Sequence, residues 1–318
     1  MYRNMSSSTG GNNQPNTSIL NPIYDQVFKL VFGTNLNKDI TLGLLNDVYA
    51  DALKTRIEDI TFVKQDPDKS SILDKTIFID ILCKTSDGEQ FIVEMQKGHD
   101  PDFLKRATLY ASRVYSSQMF VSRNGDEDIR ISYSDMKKVR FLAISQYTLF
   151  PHIDSYFTYG PNIDINTNQV MSDEITYTYI ELSKFNKTYE ECTTHIDLWT
   201  YIFKNIAKTD KGIYDTIVSR QDIFSKTCNA LSRGSYDEQT LLTIDKAILD
   251  YTSTINNVER RIQKGREEGM AVGREEGAKQ KAIEVAENLL RINLLTVEQI
   301  ADVSRLSVDE VIKIKSKI

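Results

Sequence analysis

Two neighbouring apolar segments, TIFIDILC at 76–83 and QFIVEMQ at 90–96, each carry one carboxylate inside an otherwise hydrophobic run, and this constrains the chain more than any other feature. From Ile77 to Cys83 every residue is apolar except Asp80, and Glu94 sits among Phe91, Ile92, Val93 and Met95. Their β-branched and aromatic content predicts two strands, and a continuous apolar run predicts burial. A buried carboxylate is costly unless it is paired or bound to a cation. The link holds Ser86-Asp87-Gly88, and its length decides which side chains share a face. A two-residue Asp-Gly turn puts Asp80 opposite Met95 and leaves Glu94 on the other face. A three-residue loop, with Gly88 in the left-handed conformation that glycine accepts cheaply, puts Asp80 directly opposite Glu94. Opposed residues have Cβ atoms about 4.5–5.5 Å apart, which suits two carboxylates sharing a cation. On that register, period-2 alternation adds Gln96 to the same face.

Two facing carboxylates repel unless a cation lies between them. Oxygen ligands favour Mg2+ or Mn2+. The competing reading pairs each acid with a base from a helix, for which Lys29 and Arg106 are the candidates.

The rest of the chain frames this pair. NPIYDQVFKLVFG places Val27, Phe28, Val31 and Phe32 at helical spacing, and TLGLLNDVY continues the pattern. IEDITFV at 57–63 reads as a first strand. Asp100-Pro101 predicts a helix start, with the helix running to about Met119 and placing Phe103, Arg106, Tyr110 and Arg113 on one side. VRFLAIS (139–145) and EITYTYIEL (174–182) are further strands, and helices follow from about Ile196. The expected architecture is α/β, a mixed sheet flanked by helices.

From Asp237 the sequence turns charged and helical and repeats GREEG, with Gly265, Gly269, Gly273 and Gly277 predicting a weak, bendable linker helix. Thr296 with Gln299 and Ser307 with Glu310 are two capping boxes, each opening a short terminal helix. The expected layout is an arm at 1–20, a domain at 21–235, the linker at 236–292 and a two-helix unit at 293–318. A helix-turn-helix reading of that last unit is weaker, because Asp309 and Glu310 stand where phosphates would approach.

A net charge of -6 argues against coating nucleic acid by bulk charge, so a DNA site must be local. Lys105, Arg106, Arg113, Arg123, Arg130, Lys137, Lys138 and Arg140 form one basic run, readable as a patch or as a solvated surface. The first twenty residues are rich in Ser, Asn and Gly and lack a signal's apolar core, and no run is long enough to cross a membrane. Cys83, Cys192 and Cys228 lack CxxC spacing, which fits a reducing cytoplasm. There is no GxGxxG, GxxxxGK[ST], HExxH or GxSxG, and His99, His152 and His195 show no ligand spacing.

YDQVFKLVFG, the FIDILC and FIVEMQ pair with its Gly turn, FLKRATLYASRVYSSQ and IELSKF together resemble the recombination-promoting nuclease and putative transposase family, a branch of the PD-(D/E)XK nucleases. The resemblance spans roughly residues 21–205, and the GREEG repeats and terminal helices also look like tails seen in this family. It implies a restriction-endonuclease-like core with a helical C-terminal extension. It further implies Mg-dependent cleavage of DNA with Asp80 and Glu94 as catalytic metal ligands. Gln96 stands where the wider superfamily usually has Lys, and glutamine cannot act as a general base. Lys97 points to the other face by alternation and is expected to be solvated. Lys29 is the substitute cation if the first helix packs beside the site, and Asp25 would pair with it at i,i+4. Arg106 and Arg113 are candidate phosphate contacts. Nicking two strands favours a homodimer. Two readings compete: a nuclease fold without catalysis that binds DNA or regulates, supported by Gln96 and the net charge, and a protein that self-associates through the glycine-punctuated helix.

Overall fold

The computed structural model describes residues 18–53, 55–63, 78–123, 126–130 and 132–318, with backbone alone over 120–130. It divides into two compact units, Met1–Asp245 and Lys246–Ile318.

The first unit opens with α1 (Asp25–Phe32) and α2 (Lys38–Val48), followed by β1 (Ile60–Phe62), β2 (Ile81–Thr85) and β3 (Gln90–Gln96). β2 and β3 are antiparallel and pair Ile81 with Val93, Leu82 with Ile92, Cys83 with Phe91 and Lys84 with Gln90. This is the register of a three-residue loop. Gly88 has φ +95°, Thr85 N–H donates to Glu89 O at 2.9 Å, and Gly88 N–H returns to Thr85 O at 3.1 Å. The ladder begins at Ile81, so Asp80 stands at the mouth of the hairpin rather than mid-strand, and Phe78 is 75% exposed where the apolar run predicted burial. Ile77 lies outside the described residues.

The helix after the hairpin, α3 (Phe103–Ser117), starts two residues later than Asp100-Pro101 suggested. Asp102 is its N-cap residue, and Asp100 Oδ1 instead accepts from Asp102 N–H at 2.9 Å. A hairpin of β4 (Phe120–Arg123) and β5 (Asp126–Arg130) leads to β6 (Val139–Ser145), β7 (Phe157–Ile163) and β8 (Val170–Glu181). The main sheet runs β1-β2-β3-β6-β8-β7, with β3, β6 and β8 parallel and the outer strands antiparallel. β7 loses its register with β8 around Gly160–Ile163.

One face of the sheet packs Ile92, Phe141 and Tyr179 against Phe103, Ala107, Tyr110 and Ala111 of α3. On α1, Phe28 and Phe32 join an aromatic cluster with Trp199 and Phe203 of α4 (His195–Asn205). Trp199 is fully buried and donates its indole N–H to Asp47 at 2.8 Å. Helices α5 (Lys211–Ser219) and α6 (Ile223–Leu231) follow. Part of the predicted arm is tied here: Leu20 is 2% exposed, its N–H donates to Leu231 O at 2.8 Å, and Ile19 bridges to Ser232.

The glycine repeats do not interrupt α7 (Glu238–Ile292), one helix of 55 residues. Pairs such as Gln263 with Glu267, at 2.7 Å, support it across the glycines. Both capping boxes are formed, on α8 (Val297–Ser304) and α9 (Val308–Lys315). Ile300, Ala301 and Val311 bury against Ala286 of α7, so the terminal pair packs as a three-helix unit.

Gly88 sets the hairpin register, and a Cβ there would meet Lys137 Cγ at 3.0 Å in a backbone conformation that L residues resist. Gly88→Ala is expected to lower stability by about 1–2 kcal/mol in urea unfolding, and an unchanged midpoint would contradict this account of the turn.

Candidate active site

The carboxylates of Asp80 and Glu94 are each held by the other's strand. Asp80 N–H donates to Glu94 Oε1 at 3.1 Å, and Met95 N–H donates to Asp80 Oδ2 at 2.9 Å. Glu94 is 3% exposed. Gln96, on the same face, donates Nε2–H to Glu94 Oε2 at 3.2 Å and accepts from Arg106 Nη2 at 3.1 Å. Arg106, in the first turn of α3, also pairs with Asp100 at 2.8 Å. A relay of hydrogen bonds therefore runs from Asp100 through Arg106 and Gln96 to Glu94.

Packing of α1 through Val27, Phe28, Val31 and Phe32 turns its polar side to the hairpin mouth. Lys29 Nζ lies 3.1 Å from Asp80 Oδ1 and 2.8 Å from Asp25 Oδ1. The helical base and the acid therefore do pair, as the competing reading required, and the i,i+4 pair is formed as well. Lys97 is not solvated: it is half-buried, its ammonium 3.2 Å from the centre of the Tyr24 ring. Arg113 is half-buried two turns beyond Arg106, about 10 Å further along the helix axis.

Burial pushes the Glu94 carboxyl up, and the neighbouring Asp80 charge pushes it further. Burial also raises Asp80, against the opposing pull of the Met95 N–H and of Lys29. Burial alone would lower Lys29, but Asp25 and Asp80 hold its ammonium above its usual value. Four acids, Asp25, Asp80, Glu94 and Asp100, thus share two cations, Lys29 and Arg106. The deficit of charge and the all-oxygen donors fit a divalent cation. Among the described residues no group of three His, Cys, Asp or Glu is arranged to hold a metal.

Of the predicted basic run, the Arg123 and Arg130 side chains lie outside the described residues, and others are engaged with acids. Lys105 pairs with Asp102, Lys138 with Asp173, and Arg140 is 2% exposed with its Nε 3.1 Å from Glu89. Arg140 lies on β6 between Val139 and Phe141, so alternation turns it to the opposite face of the sheet, over the Tyr49 ring. The Arg106–Gln96 contact is a link that sequence spacing could not supply, since it depends on how α3 packs against β3.

A mixed sheet whose β2–β3 hairpin carries paired acids, flanked by α1 and α3, is the core of the PD-(D/E)XK nuclease class. The family model described as PD-(D/E)XK nuclease family transposase matches residues 22–258, about three quarters of the chain, and the protein belongs to that family. No curated protein and no solved structure matches it. Among the described residues no helix is long and apolar enough to cross a membrane.

Because the folded protein holds both acids above their unfolded values, it binds their protons more tightly than the unfolded chain does. In EDTA, the stability contributed by these two acids should be full below about pH 4, the unfolded range, and should be lost as pH rises through the raised folded values. Glu94→Gln should flatten that decline, and denaturant midpoints measured between pH 5 and 9 would reveal an unaltered slope if the attribution is wrong.

Proposed function

We propose that the chain is a metal-dependent endonuclease hydrolysing phosphodiester bonds in DNA, with Asp80 and Glu94 holding Mg2+ or Mn2+. The observation that carries this reading is the buried carboxylate pair cross-held by the opposite strands' amides, in a family of nuclease-like transposases. When bound, the cation lowers the pKa of a water and stabilises the charge developing on the phosphate. Gln96 positions Glu94 by donating to Oε2, and it cannot take a proton itself. Lys29 spans Asp25 and Asp80 and is 41% exposed, so its ammonium can turn to a phosphate oxygen when a cation takes over Asp80. Arg106, equally exposed, holds Gln96 with one nitrogen and presents its edge to the backbone of the substrate. Arg113 extends the same side of α3 as a further phosphate contact. The family's description as transposases supports a role in moving genetic elements, and a link to recombination is part of the same proposal.

A second reading has support of its own. Lys29 already neutralises Asp80, and Gln96 stands in the place of a lysine, as suits a nuclease fold that binds DNA or regulates without cutting. Plasmid cleavage by the purified protein with Mg2+, Mn2+, Ca2+ or EDTA separates the two. The nuclease reading expects cutting with Mg2+ or Mn2+ that falls to background in Asp80→Ala and Glu94→Ala. No cutting under any metal by a folded protein would favour the second, and cutting unaltered in both variants would remove Asp80 and Glu94 from the active site.

Gln96→Ala should retain the fold and lose roughly 10–100-fold in cleavage rate, the usual range for a residue orienting a metal ligand. A rate equal to wild type would remove Gln96 from the site.

A further inference from the structure

One face of α7 changes character along its length. Ile248, Tyr251, Ile255, Val258 and Ile262 recur at alternating spacings of three and four, the stripe of a two-helix coiled coil. The same spacing continues through Gly265, Gly269 and Val272. The helix therefore presents large apolar side chains on one stretch and a glycine-lined strip on the next, along one line. Ile262 is 65% exposed, Val258 45% and Val272 54%. A Cβ added at Gly265 or Gly269 would meet no atom within 4 Å.

We propose that α7 pairs antiparallel with the α7 of a second copy of this chain, in the register that sets Ile262 against the second copy's Gly265. Val258 then faces the second copy's Gly269, and Ile255 faces its Val272. The two-fold axis repeats each layer, so large side chains fill space left by small ones, as dense packing requires. In an antiparallel pair, flanking positions of the same kind face one another. At this register Glu259 meets the second copy's Arg266, and Arg261 meets its Glu268, which gives four opposite-charge contacts by symmetry. All four residues are exposed. Glu268 has a weak partner on its own helix, Lys264 at 3.8 Å, with both side chains mostly in water.

A parallel pair in register instead sets Arg261 against Arg266, a like-charge contact at the position where such coils choose orientation. The overlap from Tyr251 to Glu276 spans more than three heptads, or about 39 Å of helix, the length at which such pairs become stable. The charges select the antiparallel register, and the glycines give the facing Ile and Val room.

Light scattering on the full chain during chromatography, over a dilution series at low salt, tests this. Wild type should run as a dimer. Glu259→Arg and Arg266→Glu should each weaken it about tenfold or more, since each creates two like-charge contacts. The double variant, Glu259→Arg with Arg266→Glu, should restore the dimer by exchanging the charges. All these positions are exposed, and circular dichroism checks that the helix is kept. A monomer at every concentration would overturn the proposal, as would a double variant no better than the singles. Tighter association in Arg266→Glu alone would indicate a parallel pair and equally overturn it.

Discussion

Each of the two central carboxylates is bonded to a main-chain amide of the strand opposite, so neither can move without disturbing the β2–β3 hairpin. A side chain held only by other side chains can swing away when a partner is lost. Asp80 and Glu94 are fixed by backbone whose position is set by the ladder from Ile81 to Lys84 and by the turn at Gly88. The burial that makes their charge expensive thus comes with a geometry that keeps them together. The flanking helices answer the same constraint: α1 brings Lys29 to Asp80, and α3 brings Arg106 to Gln96.

The glutamine gives the site a particular logic. Its amide serves as donor to Glu94 and acceptor from Arg106 at once, which an ammonium in the same place could not do. Positive charge reaches the hairpin mouth from two helices. Lys29 and Arg106 approach from different elements, and each is anchored by a further acid, Asp25 and Asp100. Charge at the hairpin mouth is therefore shared between elements that meet only in the folded chain.

The parts of this arrangement that depend on local chemistry were legible in the sequence. Gly88 allows the three-residue loop, which gives one of the two registers open to β2 and β3, and the two capping boxes specify the starts of α8 and α9. What depends on tertiary packing was legible only as a condition or not at all. Lys29 reaches Asp80 because α1 buries its aromatic side, and Lys97 is drawn against Tyr24 rather than into water. The hairpin of β4 and β5 was missed because Asp126–Arg130 is charged and lacks strand alternation. β7 was missed because Gly160 and Pro161 read as a loop. α7 is helical through its glycines as the sequence predicts, since a cost of about 1 kcal/mol per glycine weakens a long helix without ending it.

Those same two residues in β7 matter to what the sheet exposes. A strand at the rim offers unpaired amides and carbonyls to any passing chain, and long regular rims invite sheets to join. Among the described residues the rim on one side is β1, three residues long. On the other it is β7, where Pro161 has no N–H to offer and the pairing slips around Gly160–Ile163. Among the described residues neither border offers a long, regular run of free backbone, which limits the recruitment of further strands at the sheet's edges.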